Sequence, residues 1–227
     1  MSAPIVFIVG AGDYIGAAIA RRFAKGGFTV CLGRRNGDKL EPLLKDLREN
    51  GQKAYGYSFD ARDEEATEEI FKKIESTVGA IDLVIFNVGG NVYFPILETT
   101  ARVYRKVWEM ASFAGFLTGR EAARYMVPRS CGKIFFTGAS ASLRGKPGYS
   151  AFSAGKAGLR MLAQSMAREL GPKNIHIAHL IIDAGVDTEF VRERIKAAGR
   201  DPEALPPDTL MDPNSVAEAY WMLYHQS

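Results

Sequence analysis

Lys156 is the residue of this chain with the clearest chemical potential, because it follows an aromatic ring at helical spacing in the segment YSAFSAGK. Residues four apart share one face of a helix. A lysine ammonium one turn after a tyrosine lowers the phenol pKa, so that the tyrosine can exchange a proton with a carbonyl group near neutral pH. Here the ring belongs to Phe152, which has no hydroxyl to exchange. The function of the chain therefore depends on how Phe152 is interpreted.

Tyr149 is the nearest alternative proton donor. It precedes Lys156 by seven residues, or two helical turns, and so lies on roughly the same face. The competing interpretation is an aromatic residue in a loop, packed on a sheet. Ser140 is a second candidate, as a hydrogen-bond partner for a substrate oxygen, although serines in loops commonly bond the backbone.

A glycine-rich turn follows the first apolar segment and opens a helical stretch. Backbone N–H groups at a helix N-terminus bind pyrophosphate where glycines permit close approach. The same glycines would also suit a tight turn with no ligand. The position of this turn after the first strand favours the nucleotide site, whose candidate residues are Gly10, Gly12, Asp13, Tyr14 and Ile15.

Arg34 and Arg35 end the second apolar segment, where a carboxylate would hold a ribose 2′-hydroxyl. Guanidinium groups instead match a 2′-phosphate in charge and in fork geometry. The alternative is a solvated pair at a strand end. We therefore predict NADP(H) as the cofactor, with NAD(H) less favoured.

Strand-like and helix-like segments alternate along the whole chain. The apolar runs do not alternate with polar residues, which indicates strands buried on both faces of a parallel sheet. We predict one α/β domain over residues 1–227, with a Rossmann-type, doubly wound parallel sheet flanked by helices. The expected strands are 5–9, 28–32, 54–59, 83–86, 134–137 and 175–182, and the longest expected helices are 98–126 and 149–170.

Composition restricts the class of protein further. The formal net charge of +3 over 227 residues is small, so no nucleic-acid partner is expected. Neither the two cysteines nor the histidines have metal-site spacing, and we predict no metal. No apolar run reaches the roughly 18 residues that a membrane span needs. Because the N-terminus enters a strand without a basic segment, we expect a cytoplasmic protein.

Taken in order, these motifs resemble the short-chain dehydrogenase/reductase family over nearly the whole chain. The resemblance rests on the turn at 10–16, the steps at 59–61 and 86–89, and Lys156. It implies that Asp60 and Ala61 border the adenine. It further implies that Asn87, Val88 and Gly89 lie beside the adenine ribose, Lys156 on the nicotinamide ribose and Thr188 near the carboxamide.

Three of the family's four catalytic residues are replaced. The asparagine, serine and tyrosine positions fall on Ala111, Ala139 and Phe152, so that only Lys156 remains. Tyr14 stands where the family usually has a glycine. The family's last C-terminal strand is expected to be missing.

Two functions remain open at this point. One is an NADP(H)-dependent oxidoreductase with an atypical active site, acting on a small hydrophobic carbonyl- or imine-type substrate, with Lys156 and Tyr149 as its catalytic candidates. The other is an NADP(H)-binding homologue without catalysis: a sensor, scaffold or partner subunit. In either case the resemblance implies a homodimer or homotetramer built through the two long helices.

Overall fold

A six-stranded sheet lies at the centre of the molecule, in the order β3-β2-β1-β4-β5-β6. The computed structural model describes residues 3–226. All neighbouring strands are parallel. The predicted doubly wound α/β fold is confirmed, and its strands are β1 (Ile5–Val9), β2 (Thr29–Arg34), β3 (Ala54–Ser58), β4 (Leu83–Phe86), β5 (Gly132–Ala139) and β6 (Ile175–Ile182).

Helices cover both faces of this sheet. They are α1 (Ile15–Lys25), α2 (Glu41–Glu49), α3 (Glu64–Thr77), α4 (Ala101–Trp108), α5 (Ala114–Met126), α6 (Ser150–Leu170), α7 (Glu189–Ala197) and α8 (Pro213–Tyr224). Among the described residues, no helix is both long and apolar enough to span a membrane.

The first strand shows why this sequence forms a covered sheet. Val6 and Ile8 point into a core with α1 and α8, whereas Phe7 and Val9 point into a second core with α3, α5 and α6. Every residue of β1 is buried. A strand that is apolar at each position thus supplies two cores, as the absence of alternation predicted.

The single helix predicted over 98–126 is wrong in detail. A π-helical segment, Glu109–Phe113, separates α4 from α5. It contains Ala111, which is fully buried. A Cβ added at Gly155 of α6 would lie 2.9 Å from the Ala111 Cβ, so the two backbones approach closely here. Close packing between α6 and the π-helical segment therefore occupies the space around position 111.

The C-terminal third also differs from the prediction. No strand or helix is among the elements predicted over residues 185–212, but this range contains α7 and a two-stranded ladder of β7 (Gly185–Val186) and β8 (Leu210–Met211). Short elements of two residues carry no periodic signal, which is why the sequence did not reveal them. Over residues 3–226 the main sheet ends at β6, as expected.

Candidate cofactor and active site

A cavity of about 830 Å³ opens at the carboxyl ends of the strands, where the strand order reverses between β1 and β4. Ligands of open α/β sheets bind at this switch point. With the exception of Ala111, every residue singled out above as a cofactor or catalytic candidate lines it. These residues are Gly10, Gly12, Asp13, Tyr14, Ile15, Arg34, Arg35, Asp60, Ala61, Asn87, Val88, Gly89, Ala139, Ser140, Tyr149, Phe152, Lys156 and Thr188.

The glycine turn leaves room for a ligand on its outer side. Gly10 has a φ of +88°, and a Cβ there would lie 2.8 Å from the Asn87 backbone. At Gly12, by contrast, no described atom lies within 4 Å of an added Cβ. Within residues 3–226, Tyr14 makes no side-chain cap hydrogen bond to the helix that follows it. The N-terminus of α1 is thus open to an anion, which fits a pyrophosphate.

Arg34 is held by the glycine turn itself. Its guanidinium donates to both carboxylate oxygens of Asp13, at 2.5 and 3.1 Å. This bond is the main cause of the lowered pKa of Asp13. Arg35 is exposed and forms no ion pair within the described range 3–226. One arginine is therefore fixed in place, and the other can move to meet a ligand.

Arg62 is a cavity residue that the sequence reasoning missed. Its guanidinium binds both carboxylate oxygens of Asp60, with a contact of 2.5 Å, and lowers the pKa of that carboxyl. The signal was available, since Arg62 follows Asp60 by only two residues. This part of the cavity consequently presents an ion pair instead of a bare carboxylate.

Lys156 projects from α6 into the floor of the cavity. Its ammonium donates to the backbone carbonyls of Thr137, at 2.8 Å, and Val88, at 3.3 Å. The side chain is buried, and desolvation lowers its pKa to about 8. The ammonium is thus oriented by the ends of β4 and β5 before any ligand arrives.

A buried chain of hydrogen bonds supports this floor. The Thr137 hydroxyl donates to Asn87 Oδ1 at 2.9 Å and accepts from the Tyr220 hydroxyl at 2.7 Å. Asn87 in turn donates to the Gly10 carbonyl at 3.1 Å. Burial raises the pKa of Tyr220, which keeps that phenol a donor. Thr137 and Tyr220 are 83 residues apart, so nothing in the sequence pointed to their contact.

Phe152 belongs to an apolar wall of the cavity. It is buried with Val107 and Ala151, and Ala139 packs against the same cluster. The Lys156 ammonium lies 6.0 Å from the centre of the Phe152 ring. Positions 139 and 152 therefore give this part of the cavity an apolar surface.

Tyr149 brings a phenol to the same cavity. Its hydroxyl accepts a hydrogen bond from Arg194 of α7 at 3.1 Å, and its ring packs edge-on against Tyr93 at 5.4 Å. Tyr149 is thus a packed aromatic ring whose hydroxyl also forms a hydrogen bond. Ser140 also lines the cavity, and its hydroxyl and the Arg144 guanidinium lower the pKa of the Asp183 carboxyl.

The first turn of α7 lies across the cavity from α1. The Tyr14 hydroxyl accepts a hydrogen bond from the Glu189 backbone N–H at 3.1 Å. The hydroxyl oxygen of Thr188 caps α7 by accepting from the Val191 N–H at 3.2 Å. Tyr14 thus connects the glycine turn with the segment that covers it. No group of three or more potential metal ligands occurs in the described part of the chain.

Fold and cavity together define a dinucleotide-binding α/β protein. The family model described as short chain dehydrogenase matches residues 4–198. The chain belongs to the short-chain dehydrogenase/reductase family, a class of NAD(P)-dependent oxidoreductases.

Individual relatives agree with this assignment. A short-chain dehydrogenase from Rhodopseudomonas palustris, known from its crystal structure, is 50% identical with a TM-score of 0.83, covering 99% of this chain and 92% of that one. The 2-dehydro-3-deoxy-D-gluconate 5-dehydrogenase of Formosa agariphila is 30% identical over 174 residues, which is 76% of this chain and 66% of that protein. The structure of ElxO with NADP bound shares the fold, with 24% identity and a TM-score of 0.89 over 99% of this chain and 92% of that one.

Proposed function

We propose that this protein is an NADP(H)-dependent oxidoreductase acting on a small, hydrophobic carbonyl- or imine-type substrate, with an active site in which residue 152 takes no part in proton transfer. The observation that carries this proposal is the buried Lys156 ammonium, held by two backbone carbonyls at the floor of the cavity. Burying a charged lysine that is held only by neutral carbonyl groups costs free energy. A role in binding ribose hydroxyls explains why the ammonium is kept there.

The cavity offers a partner for each part of the dinucleotide. In this proposal the N-terminus of α1 and the turn before it hold the pyrophosphate. Arg34 and Arg35 hold the 2′-phosphate, and Lys156 binds the nicotinamide ribose. The adenosine is bordered by Asp60, Ala61, Asn87, Val88 and Gly89, and the carboxamide by Thr188. The bound cofactor supplies a hydride.

The substrate side is mainly apolar. Met110, Ala141 and Phe152 line it. Large apolar side chains are also exposed in the segments around the mouth, at Tyr93, Phe94, Leu143 and Phe190. A hydrophobic substrate is favoured, because its contact with these surfaces removes apolar area from water.

The source of the proton depends on the acceptor. A protonated imine already carries a positive charge, so its carbon accepts a hydride without any proton transfer. A neutral carbonyl needs one proton on its oxygen, and Tyr149 is the phenol nearest to the Phe152 position along the helix. Losing a positioned acid typically costs about 10²–10⁴ in rate. Whether Tyr149 supplies the proton therefore decides whether neutral carbonyls are reduced as well as protonated imines.

A second candidate is dinucleotide binding without catalysis. It is favoured by the apolar cluster around Phe152, in which Ala139 also lacks a hydroxyl. On this alternative the protein would be a sensor, scaffold or partner subunit.

NADPH binding and NADPH oxidation together separate the two candidates. Binding is measured by cofactor fluorescence, and oxidation by absorbance with a panel of aliphatic and aromatic ketones, aldehydes and cyclic imines. We expect Lys156→Ala to weaken NADPH binding, whereas Lys173→Ala, at an exposed turn, should have no effect. Binding without oxidation of any panel member would support the non-catalytic alternative. Absence of binding would contradict both.

A further inference from the structure

Arg194 contacts the phenol of Tyr149, which lines the cavity. Its Nη2 donates to the Tyr149 hydroxyl at 3.1 Å, although the two residues are 45 positions apart in sequence. Tyr149 is the N-cap residue of α6 and Arg194 lies in α7, so the contact joins two separate elements. Arg194 belongs to none of the motifs that the sequence contains.

The neighbouring arginine on α7 shows a different environment. Arg192 is paired with Asp187 at 2.5 Å and with Glu203 at 2.6 Å, which fixes it structurally. In the part of the chain that the structure describes, Arg194 has no such carboxylate partner. Its guanidinium lies 5.7 Å from the centre of the Phe190 ring, and Phe190 also lines the cavity. The charge of Arg194 is thus directed at the phenol and not neutralised by an acid.

A guanidinium so placed acts on proton transfer. When a phenol gives up its proton, negative charge develops on its oxygen, and a charge-assisted hydrogen bond stabilises that charge. A lysine does this from one turn away in the ordinary tyrosine–lysine arrangement, but here Lys156 is two turns from Tyr149. Arg194, from α7, instead donates directly to this oxygen.

We propose that Arg194 is a positioning residue for Tyr149, which donates the proton when the substrate is a neutral carbonyl. The O–H bond of Tyr149 breaks and a new O–H bond forms on the carbonyl oxygen, while the carbonyl carbon receives the hydride that NADPH supplies. The phenolate left behind is stabilised by Arg194 and takes a proton back from water. This inference rests on the proposed function.

Steady-state kinetics of four variants test the proposal with a neutral ketone that the wild type reduces. We expect Tyr149→Phe to lower kcat about 10²–10⁴-fold, as the loss of a positioned acid does. Arg194→Gln should lower kcat about 10-fold, which is the size of one charged hydrogen bond, and neither variant should change KM much. The double variant should be no slower than the slower single variant. Arg194→Lys, which keeps the charge, should recover part of the loss.

Lys196→Gln is the matched control, because it removes one positive charge from α7 at an exposed position. We expect its kcat to equal that of the wild type. If Arg194→Gln raises KM and leaves kcat unchanged, Arg194 binds substrate only and the proposal is overturned. An unchanged Arg194→Gln also overturns it, while the proposed function stands.

A measurement without turnover tests the contact itself. The tyrosine Cζ resonance that disappears in Tyr149→Phe should shift in Arg194→Gln and stay in place in Lys196→Gln. No shift in Arg194→Gln would remove the basis of the proposal. If instead the resonance shifts but the wild type reduces no carbonyl, the proposed function fails in its carbonyl form and the role of Arg194 fails with it.

Discussion

The buried ammonium of Lys156 makes stability depend on pH. Burial lowers its pKa from 10.5 to about 8. Between these values the unfolded chain holds a proton that the native protein has lost, so the free energy of unfolding rises with pH. We expect the wild type to gain about 3 kcal/mol relative to Lys156→Met between pH 8 and pH 10.5.

Urea unfolding of both proteins at several pH values measures this difference. Other groups titrate in both proteins and cancel. A constant difference from pH 7 to pH 10.5 would mean that the ammonium is not desolvated in the native state.

Phe152 and Ala139 together give a testable prediction. Phe152→Tyr alone should add little activity on ordinary ketones, because its ring lies in an apolar cluster and Ala139 offers the substrate oxygen no second donor. Phe152→Tyr with Ala139→Ser should exceed the sum of the single changes, since groups that act as a unit are not additive. Initial rates of NADPH oxidation measure this. Additive rates would argue against a shared site.

The two arginines at the end of β2 should determine cofactor preference. We expect Arg34→Ala and Arg35→Ala each to weaken NADPH binding by about 10-fold, because each removes a charged hydrogen bond to the 2′-phosphate. NADH lacks that group and serves as the internal control. Equal affinity of the wild type for NADPH and NADH, measured by fluorescence titration, would contradict the assignment.

At the scale of elements, the contact between α6 and the π-helical segment should tolerate no added methyl group. A Cβ at Gly155 would meet the Ala111 Cβ at 2.9 Å, and neither group can rotate away. Overpacking costs about 1–3 kcal/mol, which outweighs the helix propensity that alanine gains. We therefore expect Gly155→Ala to be destabilising in urea unfolding.

Gly158→Ala is the matched control on the same helix. Its Cβ would meet the Ser112 Oγ at 2.6 Å, but a serine hydroxyl can rotate away. We expect no loss of stability in this variant. Equal effects of the two substitutions would mean that the backbones are free to separate at Gly155.

The elements differ in how far the sequence revealed them. β1 and β4 are apolar at every position and lie where predicted, because burial on both faces leaves an unbroken signal. The π-helical segment has the same residue types as a helix, so its altered hydrogen bonding was not visible. The cavity residues on the glycine turn followed from local spacing. The contacts of Tyr220 and Arg194 join distant segments and depend on tertiary structure alone.

At the scale of the whole molecule, the helix faces suggest how copies associate. Ala114, Gly115 and Ala122 of α5 are buried within the protomer, and a Cβ at Gly115 would meet Leu159 at 2.4 Å. These three residues therefore pack against α6 and the sheet of their own protomer. Three aromatic side chains stack in a row from the end of α4, through the π-helical segment, to the start of α5. This aromatic row consists of Trp108, Phe113 and Phe116, and Trp108 and Phe116 are exposed.

We expect a homodimer that buries this aromatic row, since two-fold association is the commonest closed arrangement. Phe116→Glu should shift the protein toward the monomer in light scattering, because a charge would be buried at the contact. Met222→Glu, at an exposed position on α8, is the control and should leave the mass unchanged. A monomeric wild type at micromolar concentration would contradict the expectation.

The hydrogen bond from the Glu189 N–H to the Tyr14 hydroxyl should affect the rates of cofactor binding and release, and not the affinity. It joins the turn before α1 to the first turn of α7, so we expect entry and release of NADPH to wait until this bond opens. A contact of this kind lowers the rate constants of binding and release by a similar factor, so their ratio, the dissociation constant, stays nearly unchanged. In stopped-flow experiments Tyr14→Phe should therefore raise both rate constants for NADPH while the dissociation constant stays close to that of the wild type.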